Sequence, residues 1–157
     1  MPDFSSLLNR KAGSGVRPSN LPVGSYRGII KKHELVEVNS KNAKVPAARI
    51  HVGLVEWPES VSDADRNDAH GRPIDLSKRQ LSRDYTLDAE NAYRLDDLYR
   101  SCGIAGEGRT DAECLPELHG KEVLVEVGEY TNQKAIEAGD VEGAVRNQVN
   151  ALKGVPQ

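Results

Sequence analysis

Hydrophobic and polar positions divide the chain into stretches of period two and one stretch of helical period. Residues 47–57, AARIHVGLVEW, alternate: Ala48, Ile50, Val52 and Leu54 fall on one side, and Arg49, His51, Gly53, Val55 and Trp57 on the other. This predicts a strand with one buried face. Residues 25–38, SYRGIIKKHELVEV, are rich in β-branched and apolar side chains and predict a long first strand, bent at Gly28. The turn at Leu21-Pro22-Val23-Gly24 leads into it. The polar segment 39–46 is short, so the two strands are expected to form an antiparallel hairpin.

Residues 58–72 read as an acidic, polar loop, and 73–87 as a third strand carrying Lys78, Arg79 and Arg83, with no clear register. Helical spacing sets in over 88–103: Ala92, Leu95, Leu98, Tyr99 and Cys102 make one apolar face, Thr86 or Asp88 can cap the start, and Gly103 can end it. A loop (104–114) and a turn (115–120) lead to a fourth strand over 121–130, with Val123, Val125 and Val127 on one side. A turn over 133–143 precedes a last strand at 144–154. The expected class is therefore mainly β, with five strands and one α-helix between strands 3 and 4. That is the order of an OB-fold-like barrel, whose binding face uses strands 2 and 3. Another small α+β sheet with one helix packed on it is the alternative. The expected domain is 21–154, preceded by a flexible basic arm at 1–20 (Arg10, Lys11, Arg17, with Phe4, Leu7 and Leu8 at helical spacing) and followed by a short tail at 155–157.

The chain's 157 residues and 17.1 kDa leave room for one domain and exclude a multidomain enzyme. The chain has a mean hydropathy of -0.57 and no apolar run long enough for a membrane span or signal peptide, so a soluble, cytoplasmic protein is expected. Cys102 and Cys114 cannot build a disulfide framework and are expected to stay reduced. The net charge of -3 is unevenly placed: residues 1–57 hold nine Lys/Arg against four Asp/Glu, and residues 58–157 twelve against twenty. Residues 71–85 reverse that local trend with four basic and two acidic side chains. An acidic chain can still bind an anion where its basic residues share a face.

Strands 2 and 3 gather Arg49, His51, Trp57, Lys78, Arg79, Arg83 and Tyr85, in which Arg and Lys suit phosphates and the rings suit bases. The nucleic-acid reading rests on Arg49, Trp57, Lys78, Arg79, Arg83 and Tyr85, with Lys31, Lys32 and Tyr26 as further candidates on the first strand. The bland reading of the same residues is a solvated sheet face with Trp57 in the core. Metal ligation finds no pattern: Cys102, Cys114 and His119 do not match zinc spacing, and Asp63, Asp65 and Asp68 lack the glycine and distal glutamate of a calcium loop. Gly13-Ser14-Gly15 lacks the lysine of a phosphate loop. No catalytic residue, metal or cofactor is therefore expected. Two other classes remain open: a protein-interaction module working through the acidic half, and a nuclease with a scattered site.

The order of segments resembles a family of short phage and prophage single-stranded-DNA-binding proteins from replication and recombination gene clusters. The resemblance runs over about residues 21–154. It rests on Leu21, Pro22, Gly24 and Tyr26 opening a long strand, and on Gly71-Arg72 before the next. Further along stand Cys102-Gly103 at a helix end, Leu118, Gly120 and Lys121 before the Val-rich strand, and Asn147 and Val149 in the last. The resemblance implies an OB-fold, sequence-tolerant binding of single-stranded DNA, replication or recombination proteins as partners, and the host cytoplasm as the compartment. Because one small domain covers few nucleotides, self-association along the strand is expected as well, with the arm at 1–20 as its candidate mediator. Some phage and bacterial single-stranded-DNA-binding proteins recruit partners through an acidic tail, whereas residues 152–157 carry no carboxylate side chain. With few rings available, affinity is expected to rest on phosphate contacts and on several protomers sharing one strand.

Overall fold

A computed structural model describes residues 19–40, 42–68, 70–140 and 144–155. The arm expected over 1–20 thus lies outside the described residues except for Ser19 and Asn20, and only Val155 of the tail is described. Five strands form one antiparallel sheet: β1 (Gly24–Ser40), β2 (Ala43–Glu56), β3 (Gln80–Thr86), β4 (Glu122–Thr131) and β5 (Val145–Gly154), in the order β3-β2-β1-β4-β5. Between β3 and β4 lie α1 (Tyr93–Ser101) and the short α2 (Asp111–Cys114), so the single expected helix is two. A third, α3 (Gln133–Glu137), stands between β4 and β5 where a turn was expected. Among the described residues no helix is long and apolar enough to cross a membrane.

β1 is shared by both halves of the sheet. Its first part, Gly24 to Ile29, pairs with β4 from Val127 to Glu122, while pairing with β2 continues to Ser40 opposite Ala43. The register with β2 slips between Arg27 and Gly28 and again between Ile30 and Lys32, which bends the strand where Gly28 suggested it. A Cβ on Gly28 would lie 2.7 Å from Val52 Cγ1, 2.9 Å from the Gly53 carbonyl oxygen and 3.0 Å from Val125 Cγ2. Gly28→Val is therefore expected to cost about 3 kcal/mol through overpacking, read as a lowered urea midpoint at unchanged m-value.

The alternation read on β2 holds from Ala48 to Leu54; the slip at Val55 then turns Trp57, expected on the side of Arg49 and His51, against the core. Ala48, Ile50, Val52 and Leu54 are buried, and Val55 is exposed on the opposite side. The same core takes Tyr26 and Ile30 from β1, Val123, Val125 and Val127 from β4, Val149 and Leu152 from β5, and Leu95, Leu98 and Tyr99 from α1. Gly103 ends α1 with a φ of 77°; its N–H reaches the Arg100 carbonyl (3.1 Å) and the Ile104 N–H reaches that of Tyr99 (2.8 Å). This is a Schellman closure, and Ile104 is buried beside it. The helix begins five residues later than expected, because the Asp88 carboxylate holds the Asn91 amide in a preceding turn.

Two expectations about strand length change. The polar segment 39–46 is mostly strand, since β1 and β2 run to within two residues of each other and the left-handed Asn42 (φ 66°) stands in the turn. Conversely, 73–79 is not strand. Asp75 Oδ1 accepts from the Ser77 N–H (3.0 Å) and hydroxyl (2.6 Å), winding Leu76–Lys78 into a single 3-10 turn before β3 starts.

Candidate nucleic-acid interface

Register decides which basic residues can meet a ligand. On β3, Leu81, Arg83 and Tyr85 stand opposite Val52, Ile50 and Ala48, the buried positions of β2. Gln80, Ser82 and Asp84 stand opposite Gly53, His51 and Arg49 and share the outer face. Two residues expected to bind bases are core residues instead. Tyr26 is fully buried and its hydroxyl donates to the Pro22 carbonyl at 2.6 Å. Tyr85 is 5% exposed. Burial pushes both phenols up to about 12, so they stay neutral at physiological pH.

Arg83 is also turned inward, and its reach gives it a different task. Its Nη1 donates to the carbonyls of Val149 (2.9 Å) and Asn150 (2.6 Å) on β5, with the guanidinium 5.3 Å from the Tyr85 ring centre. It ties together the two edge strands of the sheet, which no backbone ladder joins.

The outer face of β1–β2–β3 is charge-compensated. Glu34, Arg49 and Asp84 form one row across the three strands. Arg49 is bonded through Nε (2.8 Å) and Nη2 (3.1 Å) to the two carboxylate oxygens of Asp84, and that hydrogen-bonded carboxylate raises its pKa. His51 Nε2 lies 2.6 Å from Glu34 Oε1 and thereby lowers the Glu34 pKa. Lys31 and Lys32 are exposed, Lys31 lying across Gly53, where a Cβ would meet its Cε at 2.8 Å. Trp57 is half-buried, with its ring centre 5.6 Å from that of Tyr26 and 5.6 Å from the Arg66 guanidinium.

Among the described residues another basic surface lies at the gap between β3 and β5. A cleft of about 380 Å³ opens there, lined by Lys78 and Arg79 from the turn before β3, Tyr130 from β4 and Arg146 from β5, with no carboxylate side chain among the described residues of its wall. Residues 19–21 are strapped along it. The Arg79 Nη1 donates to the Ser19 carbonyl (2.8 Å), the Asn20 amide donates to the Val145 carbonyl (2.7 Å), and Asn147 both accepts from the Leu21 N–H (2.6 Å) and donates to its carbonyl (3.0 Å). Tyr130 stands opposite Arg146 in the β4–β5 ladder and is 43% exposed, which leaves a ring face open to a ligand.

Of the residues singled out from the sequence, then, Lys78 and Arg79 meet in this cleft. Arg49 is ion-paired on the outer face, Trp57 is half-buried, and Arg83, Tyr26 and Tyr85 belong to the interior. Tyr130 and Arg146 were missed; they stand about fifty residues or more from the basic stretch at 71–85, and only the fold brings them to it.

Other chemistry is sparse. Among the described residues no group of three or more His, Cys, Asp or Glu side chains could hold a metal ion. His33 Nδ1 and His119 Nε2 lie 2.7 Å apart, a two-residue pair. Cys102 is half-buried and Cys114 buried, both as free thiols, and burial raises the Cys102 thiol. Asp68 accepts from the N–H groups of His70 (2.8 Å) and Arg72 (2.9 Å), which makes it a turn residue. Comparison with known families finds no family model that matches this chain, and comparison with curated proteins finds no match.

Proposed function

We propose that this chain is a non-enzymatic protein that binds single-stranded DNA without sequence preference, of the phage replication and recombination type that its sequence resembles. We read the sheet as an OB-type barrel left open between β3 and β5. Support for the barrel comes from the strand order, with β1 pairing on both sides, from the helix between β3 and β4, and from Arg83 spanning the remaining gap. The cleft at that gap carries the functional reading: among the described residues its wall holds three cations and one open ring and no acid.

Lys78, Arg79 and Arg146 would neutralise successive phosphates, and Tyr130 would stack on a base. Stacking is indifferent to base identity because every base offers a π-face. Lys31 and Lys32 on the outer face would extend the electrostatic track, where Arg49 is already spent on Asp84. The experiment is fluorescence anisotropy of labelled oligo-dT across a salt series, with duplex of equal length as competitor. Five neutralised phosphates, three in the cleft and two at Lys31 and Lys32, correspond to a slope of about -3.5 in log K against log salt. Binding with that slope, unaffected by duplex, is the expected result; no binding at low salt would overturn the proposal.

A further inference from the structure

The described part of β1 has an open edge. β4 follows it only to Ile29, and the last bonds on that side are from the Ile30 N–H to the Lys121 carbonyl (3.0 Å) and from the Gly120 N–H to the Ile30 carbonyl (2.8 Å). From Lys32 to Ser40 the strand pairs with β2 alone. The slip at Lys31 adds one residue to β1, so that His33, Leu35, Glu37 and Asn39 now turn their N–H and C=O groups outward along this edge. Among the described residues nothing bonds to them there. Leu35, in the middle, is 70% exposed. A flat strand edge with an uncovered leucine is a template for another strand.

We infer that the occupant is β1 of a second copy, paired antiparallel about a two-fold axis through Leu35. The sequence around Leu35 is complementary to itself in that register. Leu35 meets its symmetry mate, and His33, whose Nδ1 already lies 2.7 Å from His119 Nε2 of its own chain, turns its Nε2 to Glu37 of the other copy, the same pair repeating on the other side of the axis. Glu34, which approaches the axis on the opposite face, is already engaged by His51, whose Nε2 lies 2.6 Å from its Oε1. A foreign strand would supply backbone bonds but not this twice-used pairing of side chains.

The test is the solution mass of the whole chain by light scattering, up to high-micromolar concentration and without nucleic acid, so that failure here leaves the proposed DNA binding untouched. The wild type is expected at twice the 17.1 kDa of one chain. Leu35→Pro is expected at the single-chain mass, since it removes an N–H that faces the open edge and leaves the ladder to β2 intact. A single-chain mass for the wild type throughout, or a doubled mass kept by Leu35→Pro, overturns the inference. Should the variant not fold, hydrogen exchange on the wild type decides. The Leu35 and Glu37 amides are expected to slow as concentration rises, and fast exchange at every concentration overturns it.

Discussion

Replacing Arg83 with Met is expected to destabilise the protein by about 3 kcal/mol, because two carbonyls of β5 lose their shared donor and the edge strands lose their tie. The contact with the Tyr85 ring adds a smaller loss. Equilibrium urea unfolding measures it. Arg83→Lys should recover part of the loss, since an ammonium can reach one carbonyl but lacks the planar fork. The outcome distinguishes two roles. An exposed phosphate ligand would leave the urea midpoint in place and make the salt slope shallower by about 0.7. An internal tie lowers the midpoint and leaves the slope of the folded protein alone. The second outcome is expected.

Reversing the cleft is expected to have the largest effect on binding. The triple variant Lys78→Glu, Arg79→Glu, Arg146→Glu should bind oligo-dT at least about 100-fold more weakly at moderate salt, because three attractions become three repulsions. Tyr130→Ala alone should cost about 1–3 kcal/mol of affinity with the salt slope unchanged, since a ring contributes stacking and no counterion release. Arg49→Ala is the contrasting case. Arg49 is already bound to Asp84 through two hydrogen bonds, so little affinity should be lost. Anisotropy on the same oligonucleotide measures all three, with thermal unfolding to check that each variant folds. Part of Arg79's cost would come from releasing residues 19–21, because its guanidinium also holds the Ser19 carbonyl.

The strands with clean alternation were legible. β2 and β4 put an apolar residue at every second position, and the buried sets Ala48-Ile50-Val52-Leu54 and Val123-Val125-Val127 follow directly. Gly28 and Gly103 were legible for a different reason: a bend in a strand and a left-handed helix end both favour a residue without a Cβ. β3 was not legible. Its inward positions are Leu81, Arg83 and Tyr85, so an arginine interrupts the apolar face, and a period-two reading places it outside. Arg83 is tolerated there because its head reaches backbone acceptors on a strand more than sixty residues away, a partner that local pattern does not reveal. The ribbon beyond residue 38 was missed because polar side chains form a backbone ladder as well as apolar ones. The cleft was half legible. Lys78 and Arg79 stand together in sequence, but Tyr130 and Arg146 join them only through the antiparallel pairing of β4 with β5 and the approach of β5 to β3.

The most direct test of the central claim is to follow backbone amide resonances while oligo-dT is added to isotope-labelled protein. Shifts are expected to concentrate at residues 19–21, 78–81, 130 and 145–147, around the gap between β3 and β5. Shifts confined to the outer face around Arg49, His51 and Asp84, or none at saturating oligonucleotide, would contradict that claim.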